Sequence, residues 1–105
     1  MPAATAAPLV EFTGVLMEPA KAVSRAADRL GHFEPVLCLV LELEDEHRTR
    51  MVVQQPFPPH AFAQAEAAAR RHKPGERVRV EVPLGGLRLM APNAAHIHVL
   101  KPQQE

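Results

Sequence analysis

Arg48, Arg50 and Gln54 occupy alternate positions of one short segment, and Arg77 and Arg79 repeat the pattern later in the chain. In an extended chain alternate residues share a face, so each segment would present a row of guanidinium groups. Guanidinium is planar, permanently charged and forked; it pairs with phosphate oxygens and stacks on rings. Such a row suits a sequence-tolerant groove for one nucleic-acid strand. Arg88 extends the second group, and Lys21, Arg25 and Arg29 add cations from an earlier segment. Phe33 and Phe57 are the candidates for stacking on bases, because each lies beside proline or glycine at a strand end, outside any alternating apolar run. Phe12 and Phe62 read as core. Each assignment has a plainer counterpart. The arginines could pair with Glu42, Glu44 and Asp45 on a solvated hairpin, where single surface ion pairs contribute little. The loop cations could simply keep a loop in water, and Phe57 could plug one end of the core.

Catalysis has no carrier among these residues. Ser24 is the only serine, and it lacks the glycine-flanked elbow that exposes a serine nucleophile. Cys38 sits mid-strand with no base near it in sequence and reads as a small buried hydrophobe. Glu42, Glu44 and Asp45 permit accidental pairings but form no paired-carboxylate constellation, and no glycine loop is built to cradle phosphate. His96 and His98 place two imidazoles on one face of a strand. A metal would need a third ligand from His60, His72 or an acidic residue, and no spacing signature supports one. The pair reads as part of a polar sheet face, and neither a metal nor another cofactor is expected. These residues describe a binding protein and not an enzyme.

A chain of 105 residues fits one domain. A domain of this size buries only about two-thirds of the surface its unfolded form exposes, too little for a large multistep active site with lids. Its single cysteine forms no intrachain disulfide and no thiolate set for zinc, which fits a reduced, cytoplasmic protein. Residues 1–8 carry no basic region and no continuous apolar run, and no later stretch approaches membrane-spanning length. No export and no membrane partner are therefore expected. The 12 Lys and Arg balance 12 Asp and Glu, which argues against a polyanion binder working through bulk positive charge. The signs are nevertheless segregated. Glu42, Glu44, Asp45 and Glu46 crowd one stretch, while Arg48, Arg50, Arg70, Arg71, Lys73, Arg77, Arg79 and Arg88 dominate the second half. Folding can set a basic face beside an acidic one.

The elements that must position these groups follow from periodicity. Residues 1–8 and 102–105 read as tails, leaving residues 9–101 as the domain. Leu9 to Met17 is a first strand, with Gly14 marking a bulge or bend and Pro19 ending it. Lys21 to Gly31 reads as a long basic connection that holds at most a turn of helix. Val36 to Leu43 is the strongest strand, because Leu37, Leu39, Leu41 and Leu43 alternate with Val36, Cys38, Val40 and Glu42. Glu44 to His47 forms a hairpin tip, and Arg48 to Gln55 returns as the third strand. Pro56 to Pro59 stops it, His60 to Lys73 is helical, and Pro74-Gly75 ends the helix. Arg77 to Leu84 alternates as a fourth strand, Leu87 to Met90 resumes the alternation after Gly85-Gly86, and His96 to Leu100 is the last strand. The expected fold is all-β with one helix: a five-stranded OB-fold barrel, with the helix between strands three and four. Closing the sheet would remove its exposed edges.

At this level the chain resembles the bacterial single-stranded DNA-binding proteins and their smaller relative, primosomal replication protein N. The likeness lies in Leu9 to Leu16, an apolar opening strand ending Gly-x-hydrophobic, in the hydrophobic second strand, in Pro74-Gly75-Glu76-Arg77-Val78-Arg79-Val80-Glu81-Val82, and in Ala95 to Leu100. It covers nearly the whole domain through the order and spacing of individually weak motifs. The resemblance implies a groove over strands two and three for single-stranded DNA, or RNA, with Arg48, Arg50 and Gln54 on the binding face. It also implies a replication or recombination accessory role, including a phage-related one, a homo-oligomer, and a replication protein as partner. The sequence departs from the family where an aromatic would precede the third-strand arginine: Arg48-Thr49-Arg50 stands there, and the chain has no Trp or Tyr. The alternative is an assembly module of the same fold, whose acidic tip at Glu44 to Glu46 docks a basic protein.

Overall fold

Leu37, Leu39 and Leu41 alternate along the longest strand, and their side chains form the core with Leu16. The computed structural model describes residues 8–88 and 93–101. The element order is β1 (Leu9–Leu16), β2 (Lys21–Ala26), β3 (Phe33–Leu43), β4 (Arg50–Pro56), α1 (Phe62–Arg71) and β5 (Arg77–Pro83), followed by a 3-10 turn at Leu84–Gly86. The fold is mostly β with one helix, and its five strands form a single antiparallel sheet.

β3 organises that sheet. One of its edges pairs with β4 from Val36↔Pro56 to Glu42↔Arg50. The other pairs first with β2, from Ala26↔Phe33 to Lys21↔Cys38, and then with β1, from Leu16↔Leu41 to Gly14↔Leu43. β1 and β2 thus act as two halves of one broken strand. The break at 17–20 contains Pro19, which has no N–H to offer a ladder, and Met17 N bridges it by donating to Val40 O at 2.8 Å. β1 runs on past the end of β3 and carries β5 on its other edge, from Leu9↔Pro83 to Val15↔Arg77.

Gly14 is required where β1 meets both neighbours. A Cβ there would lie 2.7 Å from the backbone oxygen of Glu42, and a ladder carbonyl has nowhere to go. Gly14→Ala should therefore cost about 1–3 kcal/mol, the usual range for overpacking a tight site. Chemical denaturation reads this directly, and an unchanged midpoint would contradict the β1–β3 crossing.

α1 lays Ala68 and Ala69 against the leucine core, with Ala61 and Ala65 buried. It is two residues shorter at each end than the sequence pattern suggests, since Ala61 supplies no side-chain cap at the start. Gly75 then takes a φ of +88°, and its N–H donates to Leu16 O at 2.7 Å, tying the turn after the helix to the end of β1.

Four expectations are corrected. Lys21 to Gly31 is not a connection with a helical turn: its first half is β2, and Asp28 folds the second half by accepting from Leu30 N at 2.7 Å. Because of this extra strand, the helix lies between β4 and β5, not between strands three and four. Leu87 and Arg88 are not in a strand, and Leu89 and Met90 lie outside the described residues. His96 to Leu100 forms no strand and pairs with none, so the sheet is not closed among the described residues. The expected tails, residues 1–8 and 102–105, fall outside the description except for Pro8, whose carbonyl accepts from Leu84 N at 3.0 Å.

Candidate nucleic-acid interface

With the leucines turned inward, the opposite parity of β3 faces out. It carries Glu34, Val36, Cys38, Val40 and Glu42. Registers with the flanking strands set Lys21 across from Cys38, Val23 from Val36 and Arg25 from Glu34 on one side. On the other side they set Gln54 across from Cys38, Val52 from Val40 and Arg50 from Glu42. Three cations, Lys21, Arg25 and Arg50, and one amide, Gln54, therefore stand on one sheet face around a strip of valines.

Arg25 fixes the middle of this face. Its Nε and Nη2 donate to Glu34 Oε1 at 3.1 and 2.5 Å, and its Nη1 donates to Gln54 Oε1 at 3.1 Å. The guanidinium thus spans β3 from β2 to β4, and the register places Val36 beneath the span. Val36 is fully buried yet stands apart from the leucine cluster, which this roof explains. With its Oε1 taken, Gln54 turns its NH2 donors away from Arg25. Val52 is 60% exposed and Val23 37%, so the face presents apolar contact beside its charges. Arg50 lies directly across from Glu42 but forms no ion pair with it among the described residues.

The other candidate residues divide. Arg48 is not on β4: it sits in the hairpin tip at a φ of 51°, so it leaves the row of Arg50, Val52 and Gln54. Arg77 is engaged, its Nε and Nη2 each donating at 2.8 Å to the two carboxylate oxygens of Glu44. Arg79 stands on the outer face of β5 opposite Thr13, with Glu11 and Arg77 around the same shallow recess. Arg29 is exposed in the turn after β2, and Arg88 is exposed beyond the 3-10 turn. Neither joins the Arg25 face by register. Phe33 is 61% exposed, but its position in β3 gives it the parity of Leu37 and Leu39, not that of Arg25. Phe57 packs against the leucine core, in keeping with its plug reading. Phe62 is 39% exposed and is not core; Phe12 is half-buried. Cys38 is half-buried on the outer face and is not a buried hydrophobe.

Val23, Glu34 and Val40 also belong to this face, beyond the residues the sequence motifs single out. The signal was the alternation Lys21-x-Val23-x-Arg25, which puts two cations and a valine on one side of an extended segment. His96 and His98 have ring centroids 6.0 Å apart, and among the described residues no third His, Cys, Asp or Glu joins them. No helix of the described residues is long and apolar enough to cross a membrane.

The acidic tip is internally bonded. The Arg77 hydrogen bond lowers the Glu44 pKa and raises that of Arg77, with the opposite charges adding to both. Asp45 is lowered chiefly by the Thr49 hydroxyl, which donates to Oδ2, and next by Thr49 N–H, which donates to Oδ1 at 2.7 Å. Both carboxylates are depressed in the folded state, so they stabilise the hairpin above the ordinary carboxylate range. That stability is lost as pH falls through the depressed values. Acidification should accordingly loosen the tip before the sheet. Amide hydrogen exchange at Thr49 would show this, and equal protection of Thr49 at acid and neutral pH would contradict it.

No family model, no curated protein and no solved structure matches the chain.

Proposed function

We propose that the outer face of β2, β3 and β4 binds single-stranded nucleic acid without catalysis, as a replication or recombination accessory that acts as a homo-oligomer. The observation that carries this reading is the register that sets Lys21, Arg25, Arg50 and Gln54 on one face around exposed Val23 and Val52. Lys21 and Arg50 neutralise phosphates, and the counterions released supply a salt-dependent share of the affinity. Arg25, held flat by Glu34 and Gln54, offers its plane to a base. Val23 and Val52 receive the apolar faces of neighbouring bases or sugars.

Without Trp or Tyr this face lacks the aromatic platform worth about 1–3 kcal/mol per base. Zero net charge adds little long-range attraction, so the interaction is of low affinity and steep in salt. The resemblance to the single-stranded DNA-binding proteins and primosomal replication protein N supports the same reading, including a barrel in which a further strand closes the gap between β4 and β5. The assembly-module reading through Glu44 to Glu46 loses ground because Glu44 and Asp45 already have partners within the chain. Fluorescence anisotropy of a labelled oligo-dT at low salt tests the proposal. Saturable binding that weakens with salt is expected; no binding at micromolar protein would overturn it.

A further inference from the structure

Arg25 holds Gln54 in one orientation. A guanidinium carries donors only, so the atom of Gln54 that lies 3.1 Å from Arg25 Nη1 is its oxygen, and the amide cannot turn over without setting donor against donor. Arg25 is itself anchored, since Nε and Nη2 both donate to Glu34 Oε1. The amide of Gln54 is therefore aimed. Its Oε1 points across the face to Arg25, and its NH2 group is left to meet whatever lies on the face.

The neighbours of Gln54 make this part of the face rich in donors. By register its row across the sheet runs Gln54, Cys38, Lys21, and Gln54 and Lys21 are exposed. Lys21 has three N–H donors and no acceptor, and the Cys38 thiol is weak in either role. Of the carboxylates on this side of β3, Glu34 is held by Arg25, and Glu42 stands four residues from Cys38, about 13 Å along the strand. An unconstrained glutamine pairs with adenine through both ends of its amide, the oxygen accepting from N6–H2 and the nitrogen donating to N7. Cytosine offers a similar pair in N4–H2 and N3. Arg25 closes this mode by occupying the oxygen. A carbonyl oxygen of the base, O4 of thymine or uracil or O6 of guanine, asks only for donors and fits the group that remains.

We infer that Gln54 sets a base preference at this face: its fixed NH2 group donates to the keto oxygen of thymine, uracil or guanine and meets the amino group of adenine or cytosine donor to donor. The inference rests on the proposed binding of single-stranded nucleic acid and names the base edge that the site takes. Gln54 is the specificity-determining residue, and Arg25 and Glu34 position it.

Competition of oligo-dU and oligo-dC of equal length against a labelled oligo-dT at low salt tests this, because uracil and cytosine are nearly the same size and differ only along the edge from N3 to the 4-position. The unmodified chain should prefer oligo-dU by about three- to tenfold, the usual contribution of one hydrogen bond. Gln54→Glu keeps the acceptor for Arg25 and replaces the NH2 group with a second acceptor, so the ratio should turn towards oligo-dC, whose amino group then donates to it. Gln54→Met keeps the length of the side chain with neither group and should bring the ratio close to one. Strand content of both variants is checked by circular dichroism. Equal binding of oligo-dU and oligo-dC by the unmodified chain, or one ratio shared by all three chains, would overturn the inference and leave the proposed binding standing. Failure of the unmodified chain to bind any oligonucleotide would overturn the proposed binding and this inference with it.

Discussion

Leu41→Ala should lower the unfolding free energy by about 2–5 kcal/mol. Leu41 has no exposed surface, and it packs with Leu16, Leu37 and Leu39 where β3 is paired on both sides, to β1 through Leu16 and to β4 through Met51. Truncation there removes apolar contact and leaves a cavity that three hydrogen-bonded strands cannot collapse into. A domain of this length has a total stability of roughly 5–15 kcal/mol, so the loss is a large share and much of the variant population should be unfolded under mild denaturant. Val52→Ala is the matched control. Val52 is 60% exposed on the outer face, and truncation of an exposed side chain away from special features stays within about 0.5 kcal/mol. Urea denaturation of the two variants measures the difference; similar midpoints would contradict the placement of the core beneath β3.

Lys21→Ala, Arg25→Ala and Arg50→Ala together should weaken oligo-dT binding by at least about tenfold, since a hydrogen bond to a charged group contributes about 1.5–3 kcal/mol and 1.4 kcal/mol is about tenfold. The logarithmic salt slope should become shallower by about 0.7 for each phosphate contact removed. Arg25 carries a second consequence, because its loss uncovers Val36 and frees Glu34 as an uncompensated carboxylate on the face. The triple variant is therefore compared at a temperature where circular dichroism shows the sheet intact. Arg29→Ala with Arg88→Ala removes two cations that lie off this face, and should leave the slope nearly unchanged. If the two sets weaken binding equally, the attraction is diffuse and no groove on β2–β4 holds the strand.

Much of this architecture was legible from residue patterns. The leucine alternation from Leu37 to Leu43 is unambiguous because that face of β3 is buried from Pro35 to Leu41. The prolines at 56, 58, 59 and 74 punctuate the chain where β4 ends and where α1 begins and ends. β2 is illegible for a physical reason: its positions on the leucine parity are Ala22, Ser24 and Ala26, of which the last two are exposed and all are too small to show a strand's apolar face, and alanine favours helix. What makes it a strand is the ladder with residues 33–38, a tertiary cause that no local pattern carries. Arg48 failed in the opposite way. It has the correct parity for β4, but the Asp45–Thr49 bonds close the tip around it and place it in a left-handed turn. Ile97 and Val99 do alternate as a strand should; alternation shows that a segment can pair, and it does not supply the edge to pair with. The proposed face is half legible in the sequence, since Arg50 and Gln54 follow from β4 alone, whereas Lys21 and Arg25 join them only once β2 is a strand.

The most direct measurement is a titration of isotopically labelled protein with oligo-dT, followed by amide and side-chain NMR shifts. The proposed interface predicts changes concentrated at Lys21, Val23, Arg25, Val40, Arg50, Val52 and Gln54, with the Arg25 Nε–H signal moving as its plane meets a base. Shifts confined to the hairpin tip, to the recess over Arg79 or to the groove between β4 and β5, or no shifts at all, would contradict it.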